Sequence, residues 1–105
     1  SAIPVVLPVD SFRMVGDNGE SEIIDRSALR VVQTPQIFRA DILRAAYDTD
    51  FSPAFTDDAS VVERAGFAVT LCEGERTNIK ITTPDDMVFA QAIIDARTQR
   101  EEPQE

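Results

Sequence analysis

Short apolar segments typical of β-strands alternate with helical segments along this chain, and this alternation constrains its fold more than any other feature. The chain is too short for more than one small core, with 105 residues. Apolar runs and alternating patterns predict strands at about 3–7, 29–32, 67–72 and 79–81. Amphipathic patterns and start signals predict helices at about 39–47, 56–66 and 83–97. Strands that alternate with helices predict an α/β layered fold.

One segment does not fit the alternation. Ser11 to Val15 and Glu20 to Asp25 flank the run Gly16-Asp17-Asn18-Gly19, whose residues tolerate positive φ. This pattern predicts a β-hairpin. Its flanks carry few large apolar side chains, so we expect it to project from the body as an insertion.

Composition excludes several classes of function. The chain has no histidine and one cysteine, Cys72, so Ser-His-Asp catalysis and zinc sites built on His or several Cys are excluded within it. The net charge of −9 argues against nucleic-acid binding. No apolar run approaches the ~20 residues of a membrane span. A single cysteine and the lack of a signal-peptide pattern favour a cytoplasmic location.

Both ends of the chain carry expectations of their own. Because Ser1 leads at once into a predicted buried strand, we expect the chain to be part of a longer protein. Residues 99–105 contain no apolar side chain and are predicted to form a disordered tail.

Four short segments occur in a fixed order, starting at the end of the predicted hairpin. They are Asp25-Arg26, Gln33-Thr34-Pro35-Gln36, Thr56-Asp57-Asp58-Ala59-Ser60 and Asn78-Ile79-Lys80-Ile81-Thr82-Thr83-Pro84. In this order they resemble the C-terminal half of the 2-C-methyl-D-erythritol 4-phosphate cytidylyltransferases, over nearly the whole chain. The resemblance implies a Rossmann-like nucleotidyltransferase fold. Residues 1–98 would form the C-terminal part of one domain, and the hairpin at about 11–26 would be an arm that makes a homodimer.

The resemblance also implies an activity in non-mevalonate isoprenoid biosynthesis. Members of this family join methylerythritol phosphate to CTP and release pyrophosphate. Their Gly-rich CTP-binding loop and metal-binding Asp belong to an N-terminal half that this chain lacks. We therefore expect Mg²⁺ to bind outside this chain, and we expect the chain alone to be inactive. Chemistry of this type depends on positioning and charge neutralisation more than on a protein nucleophile.

The resemblance implies five site residues. Arg26 and Lys80 would be the catalytic residues that position the substrate phosphate, and the hydroxyls of Ser11, Thr34 and Thr56 would bind the substrate. Ser11 stands where the family usually has Thr.

Three of these residues also have an ordinary structural interpretation. Lys80 lies between Ile79 and Ile81, so on a strand it would face solvent opposite to them. Arg26 could form a surface salt bridge with Asp25 or Glu22. Thr56 could be only a helix cap. The adjacent acids Asp57 and Asp58 suit a helix N-terminus and are not predicted to bind metal.

Two alternatives remain open at this point. A ribitol 5-phosphate cytidylyltransferase would be similar around Gln33 and Lys80, although Asp58-Ala59-Ser60 favours the methylerythritol enzyme. A non-catalytic α/β module that self-associates through its hairpin would also explain the acidic surface.

Overall fold

The α/β fold class is confirmed by a computed structural model, which describes residues 1–50 and 52–101. The chain divides into two compact units, Ser1–Glu75 and Arg76–Glu105. Strands in the described residues are β1 (Ile3–Val6), β2 (Phe12–Val15), β3 (Ser21–Ile24), β4 (Val31–Val32) and β5 (Leu71–Glu73). Helices are α1 (Ala40–Ala46), α2 (Asp58–Arg64) and α3 (Pro84–Glu101), with a 3₁₀ turn at Arg26–Ala28.

A mixed three-stranded sheet forms one part of the first unit. β1 lies in the centre, antiparallel to β4 and parallel to β5. Gly74 follows β5, and its amide donates to the carbonyl of Val5 at 2.8 Å. A Cβ at this position would displace the flexible end of the Gln33 side chain and would lie 3.0 Å from the Val5 carbonyl oxygen, so the close approach to β1 favours glycine. The side-chain nitrogen of Gln33 donates to the Glu75 carbonyl at 2.7 Å, which links the residue just before Thr34 to the segment after β5.

The buried core of the first unit lies between α1 and α2. Ala46, Val61 and Val62 are buried there. Half-buried and partly exposed apolar side chains pack around these three residues, namely Phe38, Ile42, Leu43, Phe55, Ala65 and Val69. Helix α2 ends before Gly66, whose φ of 96° is the left-handed conformation expected just after a helix.

The predicted hairpin is present as β2 and β3. Its register pairs Phe12 with Ile24 and Val15 with Ser21. The Gly16 amide donates to the Glu20 carbonyl at 2.8 Å, and Gly19 adopts a positive φ of 83°. Every residue of β2 is exposed. The expectation that the hairpin carries few large apolar side chains is wrong, because its two strands contain Phe12, Met14, Val15, Ile23 and Ile24.

The second unit differs from the prediction at both ends. The strand predicted at 79–81 is wrong, because the described residues there form no ladder and the Ile79 amide donates locally to the Thr77 carbonyl at 2.9 Å. Two alternating isoleucines gave the pattern, but a strand exists only where a neighbouring strand pairs with it. Helix α3 continues to Glu101, beyond its predicted end near Arg97, so residues 99–101 are helical. Residues 102–105 of the predicted tail lie outside the described residues.

The bounds of two strands also differ from the predicted ones. β5 begins at Leu71, four residues after the predicted start at Phe67. β1 begins at Ile3, as predicted, and ends at Val6, one residue before the predicted end. Over residues 1–50 and 52–101, no helix is both long enough and apolar enough to cross a membrane.

Candidate functional site

A pocket of about 400 Å³ opens beside the N-terminus of α2. Thr34 and Gln36 line it from the loop after β4, while Phe55 and Thr56 line it from the loop before α2. The carboxylates of Asp57 and Asp58 complete its wall. The structure thus brings together Thr34 and Thr56, two predicted site residues from distant segments of the sequence.

The start of α2 fixes one wall of this pocket. Asp57 is the N-cap, and its carboxylate accepts a hydrogen bond from the Ser60 amide at 2.8 Å. The Ser60 hydroxyl oxygen accepts from the Asp57 amide at 3.2 Å, which closes a capping box. The alternative that Thr56 is the helix cap is therefore wrong. Its amide donates to the Ser60 hydroxyl at 3.1 Å, and the residue itself is exposed.

Gln36 links this wall to the opposite one. Its side-chain nitrogen donates to the Asp57 carboxylate at 2.9 Å. Its side-chain oxygen accepts from the Ala59 amide at 3.1 Å. A single half-buried amide thus joins the loop after β4 to the first turn of α2.

Hydrogen bonding shapes the electrostatics of the two carboxylates. Partial burial raises the pKa of Asp57, but the bonds from Gln36 and Ser60 outweigh burial and hold it below its usual value. Asp58 accepts a hydrogen bond from the Tyr47 hydroxyl at the end of α1. This bond raises the pKa of Tyr47, with smaller contributions from slight burial and the charges of Asp58 and Asp57.

The chemistry of the lining indicates what this pocket can hold. Two hydroxyls, one amide and two carboxylates face it, and its described lining includes neither Lys nor Arg. Such groups are suited to hydrogen-bonding neutral hydroxyls, whereas a phosphate requires cations supplied from elsewhere.

Arg26 and Ser11 lie at the base of the hairpin, outside the residues that line this pocket. The Arg26 guanidinium donates to the Val9 carbonyl at 2.7 Å and so ties together the two ends of the hairpin. The salt bridge considered for Arg26 is absent from the ion pairs of the described residues. Asp25 instead caps the 3₁₀ turn by accepting from the Ser27 hydroxyl at 2.6 Å and from its amide at 3.0 Å.

Lys80 belongs to the second unit, where it is exposed and just precedes α3. The start of that helix follows the prediction. The Thr83 amide donates to the Asp86 carboxylate at 3.0 Å, and the Asp86 amide donates to the Thr83 hydroxyl at 3.3 Å. In the described parts of the chain, no three acidic, Cys or His side chains cluster as metal ligands.

Sequence reasoning missed the roles of Gln36, Phe55 and Tyr47 in or beside the pocket. Gln36 was part of a recognised motif, but its contact with Asp57 spans 21 residues of sequence and has no local signal. Phe55 and Tyr47 lie in or next to a predicted loop and carried no periodicity that could have singled them out.

The fold and the pocket together define an α/β protein with a polar site built on a helix N-terminus. Comparison with known proteins specifies this class further. The sequence profile of the 2-C-methyl-D-erythritol 4-phosphate cytidylyltransferases matches residues 1–96, and the chain belongs to this family.

Individual relatives agree with the family assignment. The enzyme of that name from Bacteroides fragilis is 50% identical over 94 residues, which cover 90% of this chain and 42% of the relative. The one from Rubrobacter xylanophilus is 46% identical, covering 94% of this chain and 44% of the relative. The chain therefore spans less than half the length of these curated relatives.

Solved structures show the same likeness. The 2-C-methyl-D-erythritol 4-phosphate cytidylyltransferase of Thermus thermophilus is 36% identical, with a TM-score of 0.71 over 88% of this chain and 46% of that one. The 4-diphosphocytidyl-2C-methyl-D-erythritol synthase of Anaerococcus prevotii is 29% identical, with a TM-score of 0.76 over 90% of this chain and 45% of that one.

Proposed function

We propose that the full-length protein containing this chain transfers a cytidylyl group from CTP to 2-C-methyl-D-erythritol 4-phosphate. The products are 4-diphosphocytidyl-2-C-methyl-D-erythritol and pyrophosphate. The observation that carries the proposal is the meeting of Thr34 and Thr56 in one pocket of a chain that belongs to this family. The fold of the whole protein would be Rossmann-like, and its location cytoplasmic.

The proposed reaction is a single displacement at phosphorus. An oxygen of the sugar phosphate forms a bond to the α-phosphorus of CTP, and the bond from that phosphorus to the bridging oxygen breaks. The electron pair leaves with pyrophosphate. Because the nucleophile is already anionic, the protein has to align it and offset the repulsion between phosphates.

The residues of this chain divide between the two ends of the sugar phosphate. The hydroxyls of Thr34 and Thr56 would bind the neutral polyol, in keeping with a pocket lined by hydroxyl, amide and carboxylate groups. Arg26 and Lys80 would hold the phosphate, because their charged donors give the stronger, charge-assisted hydrogen bonds. Ser11, at the base of the hairpin, would add a further hydroxyl.

CTP and Mg²⁺ would bind through the part of the protein outside this chain. When bound, the metal would neutralise charge on the CTP phosphates. Asp57 and Asp58 are already engaged, by Gln36 and Ser60 for the first and by Tyr47 for the second. The hairpin would form a homodimer by crossing to a partner subunit, whose site its Arg26 would enter.

Steady-state kinetics of the full-length protein test this proposal. We expect CTP-dependent release of pyrophosphate with methylerythritol phosphate. Replacing Arg26 or Lys80 by Ala should remove a contact worth roughly 1.5–3 kcal/mol. This corresponds to a loss of roughly 10- to 200-fold in kcat/KM for the sugar phosphate, with the KM for CTP little changed.

Two controls sharpen the experiment. Arg26→Gln lacks the charge but keeps side-chain N–H donors on a shorter side chain, so it tests the charge of Arg26 with a smaller loss of hydrogen-bonding groups than Arg26→Ala. It should be as impaired as Arg26→Ala. Ribitol 5-phosphate serves as the competing substrate, and a higher kcat/KM for it would replace the proposed function by that of the related enzyme. Normal kinetics in both Ala variants would refute the phosphate roles.

A further inference from the structure

We infer that Gln36 is a positioning residue of this site, which holds the loop carrying Thr34 and the helix start carrying Thr56 at a fixed separation. The inference rests on the proposed function, because positioning has meaning only for a ligand that both hydroxyls bind. Gln36 itself acts through the two threonines.

The contacts of Gln36 support this role. Its nitrogen donates to the Asp57 carboxylate at 2.9 Å, and its oxygen accepts from the Ala59 amide at 3.1 Å. Thr34 lies two residues before Gln36 in the chain, and Thr56 directly precedes Asp57. Both threonines are therefore close in sequence to a residue of this bridge. A bond to a carboxylate is stronger than one between neutral groups, and partial burial shields it from water.

The bridge adds a polar link between the supports of the two walls, which are also joined through Phe38 where it packs against the helical core. Thr34 follows β4 and comes directly after Gln33. The Gln33 side chain is hydrogen-bonded to the Glu75 backbone beside β5. Thr56 precedes α2, whose buried residues Val61 and Val62 belong to the helical core. Without Gln36, each wall would keep its own support while the distance between the two hydroxyls would be less restrained.

A charge-conserving exchange tests the bridge. Gln36→Glu places a carboxylate against that of Asp57 and removes the donor. Combining it with Asp57→Asn reverses the bond, because the new amide at position 57 can donate to the new carboxylate at position 36. The amides of Ser60 and Ala59 keep their acceptors, and Asn caps helices as well as Asp does. The double variant therefore has a counterpart for each of these hydrogen bonds.

The KM values of the full-length protein for its two substrates are the main measurement. We expect Gln36→Met and Gln36→Glu to raise the KM for methylerythritol phosphate roughly 10- to 100-fold, while the KM for CTP changes less than about twofold. The double variant should return to within about threefold of wild type. If Gln36 only stabilised the fold, its replacement would instead lower the melting temperature and raise the KM for both substrates alike.

Gln91 provides a matched control. On α3 its side-chain nitrogen donates to the Asp95 carboxylate at 2.9 Å, the same type of bond at the same length but exposed. Gln91→Met and Gln91→Glu should leave both KM values unchanged.

Several results would overturn the inference. These are an unchanged KM in Gln36→Met, an equal rise for both substrates, or a double variant that melts like wild type but stays impaired. If Gln36→Glu does not fold, the KM values of the double variant test the inference instead. A wild-type protein without activity on the sugar phosphate would refute the proposed function instead. Hydrogen exchange at the Ala59 amide would then test the bridge alone, with exchange expected to be faster in Gln36→Met.

Discussion

The ionisation of Tyr47 can be measured to test one contact beside the pocket, and the measurement needs no ligand. Its hydroxyl donates to Asp58, a lining residue, and this bond raises its pKa above the usual value of 10.0. The sequence contains one tyrosine and no tryptophan, so absorbance from ionised phenol comes from this position alone.

An alkaline titration of this chain should show Tyr47 ionising above its usual range. Asp58→Asn should bring the midpoint down, because the charged acceptor is lost. Asp48→Asn, which removes a neighbouring charge but not the hydrogen bond, is the control and should shift it less. A normal midpoint in the wild-type chain would contradict the Tyr47–Asp58 contact.

The same shift fixes the sign of a stability effect. A pKa that is higher in the folded state means that the folded state holds the proton more tightly. The stabilisation is present below the unfolded pKa near 10 and is lost as pH rises through the folded pKa. Melting temperature should therefore fall more steeply at high pH in wild type than in Tyr47→Phe.

At the scale of residues, the sequence names the residues of a motif but not the contacts that they make with distant segments. Thr34 and Thr56 stood in recognised motifs, and both line the pocket. The identity of the cap was missed because Thr56, Asp57 and Asp58 are all competent at a helix start. Only the bonds between Asp57 and Ser60 single out one of them.

At the scale of elements, the hairpin presents apolar side chains to solvent. Met14, Val15 and Ile23 are 64%, 67% and 73% exposed. The register pairs Arg13 with Ile23 and Met14 with Glu22, so Ile23 and Met14 point to opposite faces. A two-stranded hairpin is marginally stable alone, and apolar exposure of this kind favours burial against a partner.

Replacing residues 12–24 of the full-length protein by two glycines should convert the proposed dimer to a monomer. Phe12 and Ile24 are paired, so a short link can join the remaining ends without strain. Light scattering measures the mass. Asp17→Ser at the exposed hairpin tip is the control and should remain dimeric. A dimer that persists without the hairpin would show that another surface makes the interface.

Local turn and capping signals made the hairpin and the start of α3 predictable. Gly19 supplies the positive φ of the turn, and Thr83 exchanges hydrogen bonds with Asp86 at the helix start. The strand predicted at 79–81 was wrong because a strand requires a neighbouring strand to pair with. Alternation of side chains along one segment does not show whether such a neighbour exists. The late start of β5 has the same cause, since pairing begins where Leu71 meets Ile3 of β1.

At the scale of the whole molecule, the two proposed phosphate-binding residues belong to different units of the chain. Arg26 lies in Ser1–Glu75 and Lys80 in Arg76–Glu105. A hairpin that crosses to a partner would let the two residues of one active site come from different subunits. The sequence could not predict this arrangement from local patterns, because it depends on how copies of the chain assemble.

Mixed dimers of the full-length protein test that arrangement directly. One subunit carries Arg26→Gln and the other carries Lys80→Ala. If the arms cross, one site of the pair receives both lesions and the other receives none. The heterodimer, isolated with two different affinity tags, should then recover about half of the wild-type activity. If each site takes both residues from one subunit, every site carries a lesion, and the heterodimer should be as weak as the two mutant homodimers. The control is a dimer in which both subunits carry Arg26→Gln, isolated with the same two affinity tags. Its activity should stay low in either case.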